Sequence, residues 1–292
     1  MTSLHELNPI AAFLWLLTAA GIAMFSFNPI ILMLSVIGAV MYFLIRNPEA
    51  GFRGHLICIG IFILSALINP LFSHNGSTVL FVMNDNPITL EAVYYGMILG
   101  AMIAAVMYWF KSFQQVMTTD KLLYVFGSAL PKLTLMLSIA LRYVPLLKKQ
   151  TKKIRDAQKA LGLFSEENAI DRLKGEMRIF SVLVSWALEN GIITADSMTA
   201  RGYGIGRRTR FALFRFRLRD GVICICCLLL GGFVIYAMAS GAIACEFYPR
   251  FTVNTSGATS VAAYIAYAVI ALFPSFLEVE ENIRWKSLKS KI

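Results

Sequence analysis

Few residues of this chain have the types and spacing that catalysis or metal binding needs. The three histidines, His5, His55 and His74, lie far apart, one in each predicted loop or terminus. The membrane topology predicted below puts His74 on the opposite side from His5 and His55, so a site built from all three is not expected. We therefore predict no metal site.

The five cysteines do not suggest a metal or redox centre either. Cys58, Cys224, Cys226 and Cys227 lie inside apolar runs, and Cys245 stands alone. Cys224 and Cys227 make one C-x-x-C pair, but no second pair and no histidine lies near it in the sequence. We interpret all five as small hydrophobic residues.

The sequence also lacks the motifs of several enzyme classes. It contains no G-x-x-x-x-G-K-[ST], no H-E-x-x-H and no G-x-S-x-G. Carboxylates that could carry protons through a membrane are scarce, and the nearest candidates, Glu91 and Glu189, are expected at an interface. We predict that the chain is not an enzyme and that it binds no cofactor itself.

Composition places the chain among membrane proteins. Of its 292 residues 58% are hydrophobic and 15% are charged, whereas soluble domains have about 25% charged residues. We predict an all-α polytopic membrane protein with about six transmembrane helices. The candidate spans are Ile10–Phe27, Ile30–Ile45, His55–Asn69, Leu90–Phe110, Gly221–Ile243 and Ser260–Phe276. A span needs about 20 apolar residues, so the second and third runs are short.

Basic residues predict how these spans are oriented. If the N-terminus lies inside, the outside loops lie near Asn28, at 69–89 and at 244–259, and they hold one basic residue, Arg250, of the 27 in the chain. Cytoplasmic loops carry the excess of Lys and Arg. We therefore predict a multi-pass protein of the cell membrane with cytoplasmic N- and C-termini. Since "MTSLHELNPI" has no basic residue before the apolar run, we expect a retained first span, not a cleaved signal peptide.

The segment 111–219 differs from the rest. It holds 20 basic and 8 acidic residues, a net charge of +12, against +10 for the whole chain. We predict three regions: an N-terminal membrane segment at 1–110, a cytoplasmic or interfacial helical segment at 111–219, and a C-terminal membrane segment at 220–292 with a basic tail. The charge favours cytoplasmic loops and membrane lipid over nucleic acid. Apolar periodicity continues through the segment, which favours amphipathic helices that present a face to a partner protein.

Two stretches of this segment end alike. Ala160-Leu161-Gly162 and Ala200-Arg201-Gly202 each close a helical pattern with a small residue, one larger residue and a glycine, 40 positions apart. The small residues let another backbone approach, and an arginine offers five donors in a rigid fork. The pattern suits two docking sites for a paired partner. The alternative is that Arg201 caps a helix C-terminus and points at water or lipid phosphate.

Four motifs together point to a known family. They are "NPLFSHNGSTVLF" from Asn69, "MTTDKLLYVFG" from Met117, "LRYVPLLKKQTKKIRDAQKALG" from Leu141, and "SWALENGIITADSMTARGYG" from Ser185, which "RRTRF" follows. With them the chain resembles the transmembrane T component of energy-coupling factor transporters, a family that includes the cobalt-transport membrane protein. The motifs cover about 69–220, and the remainder is similar in hydropathy.

This resemblance implies a membrane scaffold with two long cytoplasmic coupling helices. Each helix end would dock in a groove of one of two ABC-type ATPases, identical or non-identical, which bind ATP and Mg²⁺. A separate small membrane subunit would capture a vitamin or a metal ion. Ala200, Arg201 and Gly202 match the family's second triplet, and Ala160 and Gly162 match the first.

At the first triplet the sequence departs from the family, because Leu161 stands where an arginine is frequent. Leu161 can still dock as an apolar knob, with charge from Lys159 or Arg155. Contact with the substrate-binding subunit is assigned to the apolar faces of the coupling helices, through Phe180, Leu183, Trp186 and Leu188. The same four residues at helical spacing are also compatible with an ordinary core.

Two other classes remain as alternatives. A stand-alone carrier or channel needs polar groups inside its spans or internal inverted repeats. A membrane-embedded enzyme that holds an anionic substrate on the basic segment needs an acid–base pair, for which Asp120, Asp156 and Asp196 are available. The transported substrate is not encoded here, since in the T-component interpretation another chain binds it.

Overall fold

The chain is almost entirely helical. The computed structural model describes residues 7–47, 53–72, 76–83, 86–163, 169–206, 214, 216–247, 252–253 and 257–289. The helices within these ranges are α1 (Pro9–Phe25), α2 (Pro29–Arg46), α3 (Arg53–Phe72), α4 (Leu90–Val116), α5 (Thr119–Ala129), α6 (Pro131–Ala160), α7 (Ala169–Ala200), α8 (Leu218–Ala239) and α9 (Ala258–Lys289). Two antiparallel hairpins pair β1 (Val79–Met83) with β2 (Asn86–Thr89) and β3 (Cys245–Glu246) with β4 (Thr252–Val253).

Local sequence explains where the first two helices begin. Each starts at the proline of an Asn-Pro pair, where the missing N–H is not needed. The Asn8 side chain accepts a hydrogen bond from the Ile10 amide, and Asn28 accepts one from Ile30 at 2.9 Å. An asparagine cap satisfies one of the free amides of a helix start. The break predicted at Asn28-Pro29 is confirmed.

Six of the described helices are long and apolar enough to cross a bilayer: α2, α3, α4, α7, α8 and α9. The number agrees with the sequence prediction, but the membership differs. Helix α7, predicted to belong to a cytoplasmic or interfacial segment, meets the length and composition test, whereas α1 has 17 residues. Spanning helices range from about 17 to 25 residues, so α1 is at the short limit. Helix α4 runs six residues past the predicted end at Phe110.

Internal contacts divide the chain into two compact units. We call residues 1–122 and 214–292 the bundle, and residues 123–213 the arm. In the bundle, α2 runs parallel to α9, since Asn28 bonds Tyr264 near their starts and Arg46 bonds Glu278 further along both. Helix α3 packs antiparallel on α4.

Aromatic residues with paired polar atoms form the bundle core. The indole N–H of Trp15 donates to the Ile270 carbonyl at 2.9 Å, and that of Trp109 donates to Ser35 Oγ at 2.9 Å. The Tyr267 hydroxyl donates to the Ala19 carbonyl at 3.2 Å. These bonds link α1 to α9 and α2 to α4, so each buried ring also fixes a neighbouring helix.

Glycines allow the closest helix contacts. A Cβ on Gly38 of α2 would lie 2.5 Å from the Ala271 carbonyl oxygen of α9. On α4, a Cβ at Gly100 would lie 2.9 Å from the Phe62 carbonyl oxygen, and one at Gly96 would lie 2.9 Å from Asn69 Cβ. Gly96 and Gly100 form a G-x-x-x-G pattern, which brings membrane helices into backbone contact.

Candidate partner-docking site

The two long helices of the arm are held together by a few polar contacts. The Tyr143 hydroxyl of α6 lies 2.8 Å from Thr194 Oγ1 of α7 and donates to the Asn190 carbonyl at 3.2 Å. Nearer the turn between the helices, one Arg155 amino group donates to both carboxylate oxygens of Glu176, at 2.8 and 2.9 Å. These contacts require α6 and α7 to run antiparallel.

Helix α6 ends in a Schellman motif. The Gly162 amide donates to the Lys159 carbonyl at 3.0 Å, and the Leu163 amide donates to the backbone carbonyl of Gln158 at 3.0 Å. Gly162 has φ +69°, a left-handed conformation that favours glycine. Ala160 is thus the last helical residue, Leu161 is the C-cap and Gly162 follows it.

Helix α7 ends in the same way. The Gly202 amide donates to the backbone carbonyl of Thr199 at 2.9 Å, and the Tyr203 amide donates to that of Met198 at 3.0 Å. Gly202 has φ +80°. Position by position, Arg201 therefore occupies the place of Leu161, with alanine before it and a left-handed glycine after it. The two triplets identified in the sequence are two copies of one helix-ending geometry.

The residues at the two C-cap positions are exposed but differ in chemistry. Leu161 is 71% exposed. Arg201 is also exposed, and its guanidinium has no ion-pair or hydrogen-bond partner among the residues that the structure describes. Its five donors can therefore bind a partner's carboxylate or carbonyl groups.

The charge expected to compensate for Leu161 is partly engaged elsewhere. Arg155, one of the two proposed substitutes, is bonded to Glu176 on α7. Its side chain thus joins the two arm helices and does not extend toward the end of α6. Lys159 makes its own interaction as well. The side chains of the first triplet itself, Ala160-Leu161-Gly162, are all apolar.

The four residues predicted to contact a substrate-binding subunit do not share one face of α7. Leu183 and Trp186 are half-buried and continue a line that includes buried Ile179. Asn190 and Thr194, at the next helical spacings, receive Tyr143, so this line faces α6. Phe180 and Leu188 are exposed and project from other sides. The structure brings Leu183 and Trp186 together and separates them from Phe180 and Leu188.

Basic residues gather at one end of the bundle. Arg46 pairs with Glu278 at 2.7 Å, and the Lys111 ammonium donates to the Gly54 carbonyl at 2.6 Å. Lys121 is buried next to the start of the arm and donates to Val116 at 3.1 Å. Burial, together with the positive charge of Arg46, lowers the pKa of Lys121 to about 8.

Histidines and cysteines lie outside this site. The His55 ring nitrogen Nδ1 lies 2.8 Å from the Tyr108 hydroxyl, while His5 and His74 are outside the described residues. Over the described ranges there is no group of three metal-ligating side chains, and the five cysteines are free thiols. Cys224 and Cys227 of the C-x-x-C pair belong to α8.

Sequence reasoning missed the residues that fix the arm. Tyr143, Thr194 and the Arg155–Glu176 pair were not predicted to interact. One signal was available, since Arg155 and Glu176 have opposite charges and lie at similar distances along the sequence from the connection between α6 and α7. The α3–α4 contact also had a signal, the G-x-x-x-G pattern of Gly96 and Gly100.

The chain is similar to membrane proteins of one transporter family. A family model described as "Cobalt transport protein" (CbiQ) matches residues 1–211. The energy-coupling factor transporter transmembrane protein EcfT of Streptococcus equi subsp. equi is 30% identical over 196 residues, which cover 63% of this chain and 72% of that protein. EcfT of Streptococcus thermophilus is 26% identical over 248 residues, 80% of this chain and 93% of that protein. A shorter match, 39% over 107 residues, covers 40% of the Listeria innocua EcfT.

Proposed function

This chain belongs to the CbiQ family of cobalt transport proteins, and from that premise we propose that it is the transmembrane coupling subunit of an energy-coupling factor importer. In this role it is a scaffold and not an enzyme. It joins two cytoplasmic ABC-type ATPases to a small membrane subunit that binds the substrate.

The paired helix ends carry this proposal. The ends of α6 and α7 have the same hydrogen-bond pattern, the same left-handed glycine and an exposed residue at the same position. A single partner needs one such end, whereas two related partners need two. ATPases of the ABC type act as pairs, so a duplicated docking element matches a duplicated partner.

The arm transmits the movement of the ATPases. ATP and Mg²⁺ are held by the ATPases, and this chain's own residues supply rigid helices with fixed ends. Helices α6 and α7 have 30 and 32 residues, and at 1.5 Å per residue each is about 45 Å long. The Arg155–Glu176 and Tyr143–Thr194 contacts couple them, so displacement of one end is passed to the other helix.

The substrate-binding subunit packs on apolar side chains of the arm. Exposed Phe180 and Leu188 are available on α7 for that contact. Leu183 and Trp186 support it from the side that faces α6. The cargo is a micronutrient, a vitamin or a metal ion, and the partner subunit selects it.

The unlike C-cap residues favour non-identical ATPases. One groove receives the apolar Leu161 and the other receives the cationic Arg201. Leu161→Arg should then weaken docking to the ATPase that α6 contacts and leave the other ATPase in place. Unchanged docking of both ATPases in that variant would argue for interchangeable grooves.

The orientation follows from the basic end of the bundle. Arg46, Lys111 and Lys121 lie at that end, where α2 and α4 finish and the arm begins. Positive charge favours the cytoplasmic side. The arm, the N-terminus of α1 and the C-terminal end of α9 are therefore cytoplasmic.

Co-purification in mild detergent tests the proposal. The chain is expressed with its two ATPases and recovered through a tag on this chain, as wild type, Arg201→Ala and Lys152→Ala. Lys152 is an exposed cation in the interior of α6, away from both helix ends, and is the matched control. Loss of a buried arginine contact at an interface costs about 2 kcal/mol or more, so Arg201→Ala should lose most of the ATPase on α7.

Equal ATPase recovery from both variants would remove Arg201 from the docking site. A chain that purifies without ATPases, and still moves solute after reconstitution alone, would contradict the coupling function itself. The stand-alone carrier would then be the correct class.

A further inference from the structure

A cavity opens between three helices of the bundle. It has a volume of about 290 Å³ and is lined by Val36 and Val40 of α2, Cys58, Ile59 and Phe62 of α3, and Ala101, Ala104 and Tyr108 of α4. Its wall is almost entirely apolar. A dry cavity of about 150 Å³ accepts a benzene ring, so this one holds roughly a dozen carbon atoms. The cavity therefore suits a hydrocarbon chain.

The position of the cavity along α4 matches one leaflet of a bilayer. Its lining begins at Ala101, near the middle of α4, and reaches Tyr108, one turn before Lys111. The ten residues from Ala101 to Lys111 rise about 15 Å, half of a hydrocarbon core of about 30 Å. An extended acyl chain in the leaflet at the basic end of the bundle covers the same depth.

A cation stands at the headgroup end of this cavity. The Lys111 ammonium lies 3.2 Å from Cys58 Sγ and 5.3 Å from the centre of the Tyr108 ring, and both residues line the cavity. The ammonium donates one hydrogen bond to Cys58 Sγ and one to the Gly54 carbonyl, so one of its three N–H donors is left for another acceptor. Nowhere in the described ranges does a carboxylate pair with Lys111.

We propose that this cavity binds one acyl chain of an anionic phospholipid, with the lipid phosphate on Lys111. An unpaired charge at the edge of a bilayer is unfavourable without a counter-ion, and a lipid phosphate supplies one. Bulk lipid is as apolar as the cavity, so the hydrocarbon contact alone gives an acyl chain little preference for the cavity over the surrounding bilayer. The charge makes the site selective, and the bound chain fills the space between α2 and α3.

The test is lipid retention by the full chain, which does not depend on transport. Protein purified in detergent is incubated with phosphatidylglycerol or phosphatidylcholine, diluted, and examined by native mass spectrometry. One retained phosphatidylglycerol per chain is expected, with weaker retention of phosphatidylcholine. A lysine near anionic lipid contributes about 1 kcal/mol, so Lys111→Met should weaken phosphatidylglycerol retention about fivefold.

Two further variants separate this site from general lipid contact. Ala101→Phe fills the cavity without changing the charge and should also lose the bound lipid, so it carries the test if Lys111→Met folds poorly. Lys286→Met removes an exposed cation from the end of α9 and should retain the lipid. Equal retention of the two lipids, unchanged retention in Ala101→Phe, or equal losses in the two lysine variants would each show surrounding lipid only and overturn the proposal.

Discussion

The bundle and the arm use similar apolar helices in opposite ways. In the bundle, Trp15, Trp109 and Tyr267 are buried, and each donates a hydrogen bond to a neighbouring helix. Helices α6 and α7 together bury three of their described residues, Gln158, Gly175 and Ile179. Many of their apolar side chains remain exposed, Phe180 and Leu188 among them.

This difference teaches that apolar content alone does not identify a structural core. The bundle is stabilised by its own close contacts, so its outer surface needs only lipid. The arm interleaves exposed apolar side chains with charge and is stabilised by a few polar contacts. These exposed apolar side chains are the ones that the proposed function assigns to partner contacts. Substitutions should therefore affect stability in the bundle and partner binding in the arm.

The largest effect is expected where bundle backbones touch. Gly38→Leu places a side chain against the Ala271 carbonyl oxygen, which a Cβ alone would approach to 2.5 Å. Overpacking costs about 1–3 kcal/mol when side chains can move, and here a backbone must shift, so we expect at least the upper limit. Thermal unfolding in detergent measures the loss. Gly60→Leu on α3, whose added Cβ meets nothing within 4 Å, is the control and should unfold like wild type.

Breaking the Arg46–Glu278 ion pair of the bundle should cause a smaller loss of stability. Arg46 and Glu278 lie 2.7 Å apart with side chains 22% and 11% exposed, and the second oxygen of Glu278 has no hydrogen-bond partner among the described residues. Arg46→Met leaves this carboxylate buried beside Tyr42 without a counter-charge. Removing one member of a buried pair costs about 3 kcal/mol. The same unfolding measurement should therefore show a clear decrease.

The double variant Arg46→Met, Glu278→Met is the matched control. Replacing both members of a buried pair with apolar residues of similar volume is often neutral. Stability should therefore return most of the way to that of the wild type. A double variant as unstable as the single one would mean that packing by the Arg46 stem, and not its charge, is the important contact.

Much of the fold was predictable from the sequence, and the exceptions have physical causes. Apolar runs located α4, α8 and α9, and Asn28-Pro29 located the break before α2. The predicted span stopped at Phe110 because the charged Lys111 follows it. The Lys111 ammonium instead bonds the Gly54 carbonyl of α3, and α4 continues to Val116. Local composition does not reveal such a long-range contact.

The candidate site was predictable to a similar degree. Local sequence sufficed for the two helix ends, because a left-handed glycine after an alanine-containing turn is a local signal. Which residues of α7 face α6 was not predictable, since both faces of that helix are apolar. Tyr143 and Glu176 decide that orientation, and they act across a turn between the helices. Exposed Phe180 and Leu188 became separable from half-buried Leu183 and Trp186 only in three dimensions.

The smallest effect is expected from the corresponding ion pair of the arm. Arg155 and Glu176 lie 2.8 Å apart, nearly the distance of the bundle pair, but their side chains are 40% and 39% exposed. Water screens such a pair, so Arg155→Met should cost under about 1 kcal/mol. Hydrogen exchange of α7 amides near Glu176 should accelerate about fivefold or less. Lys152→Met, an exposed lysine of the same helix, is the control and should leave exchange unchanged. If Arg155→Met lost as much stability as Arg46→Met, the arm would have a core of its own. The contrast between bundle and arm would then be wrong.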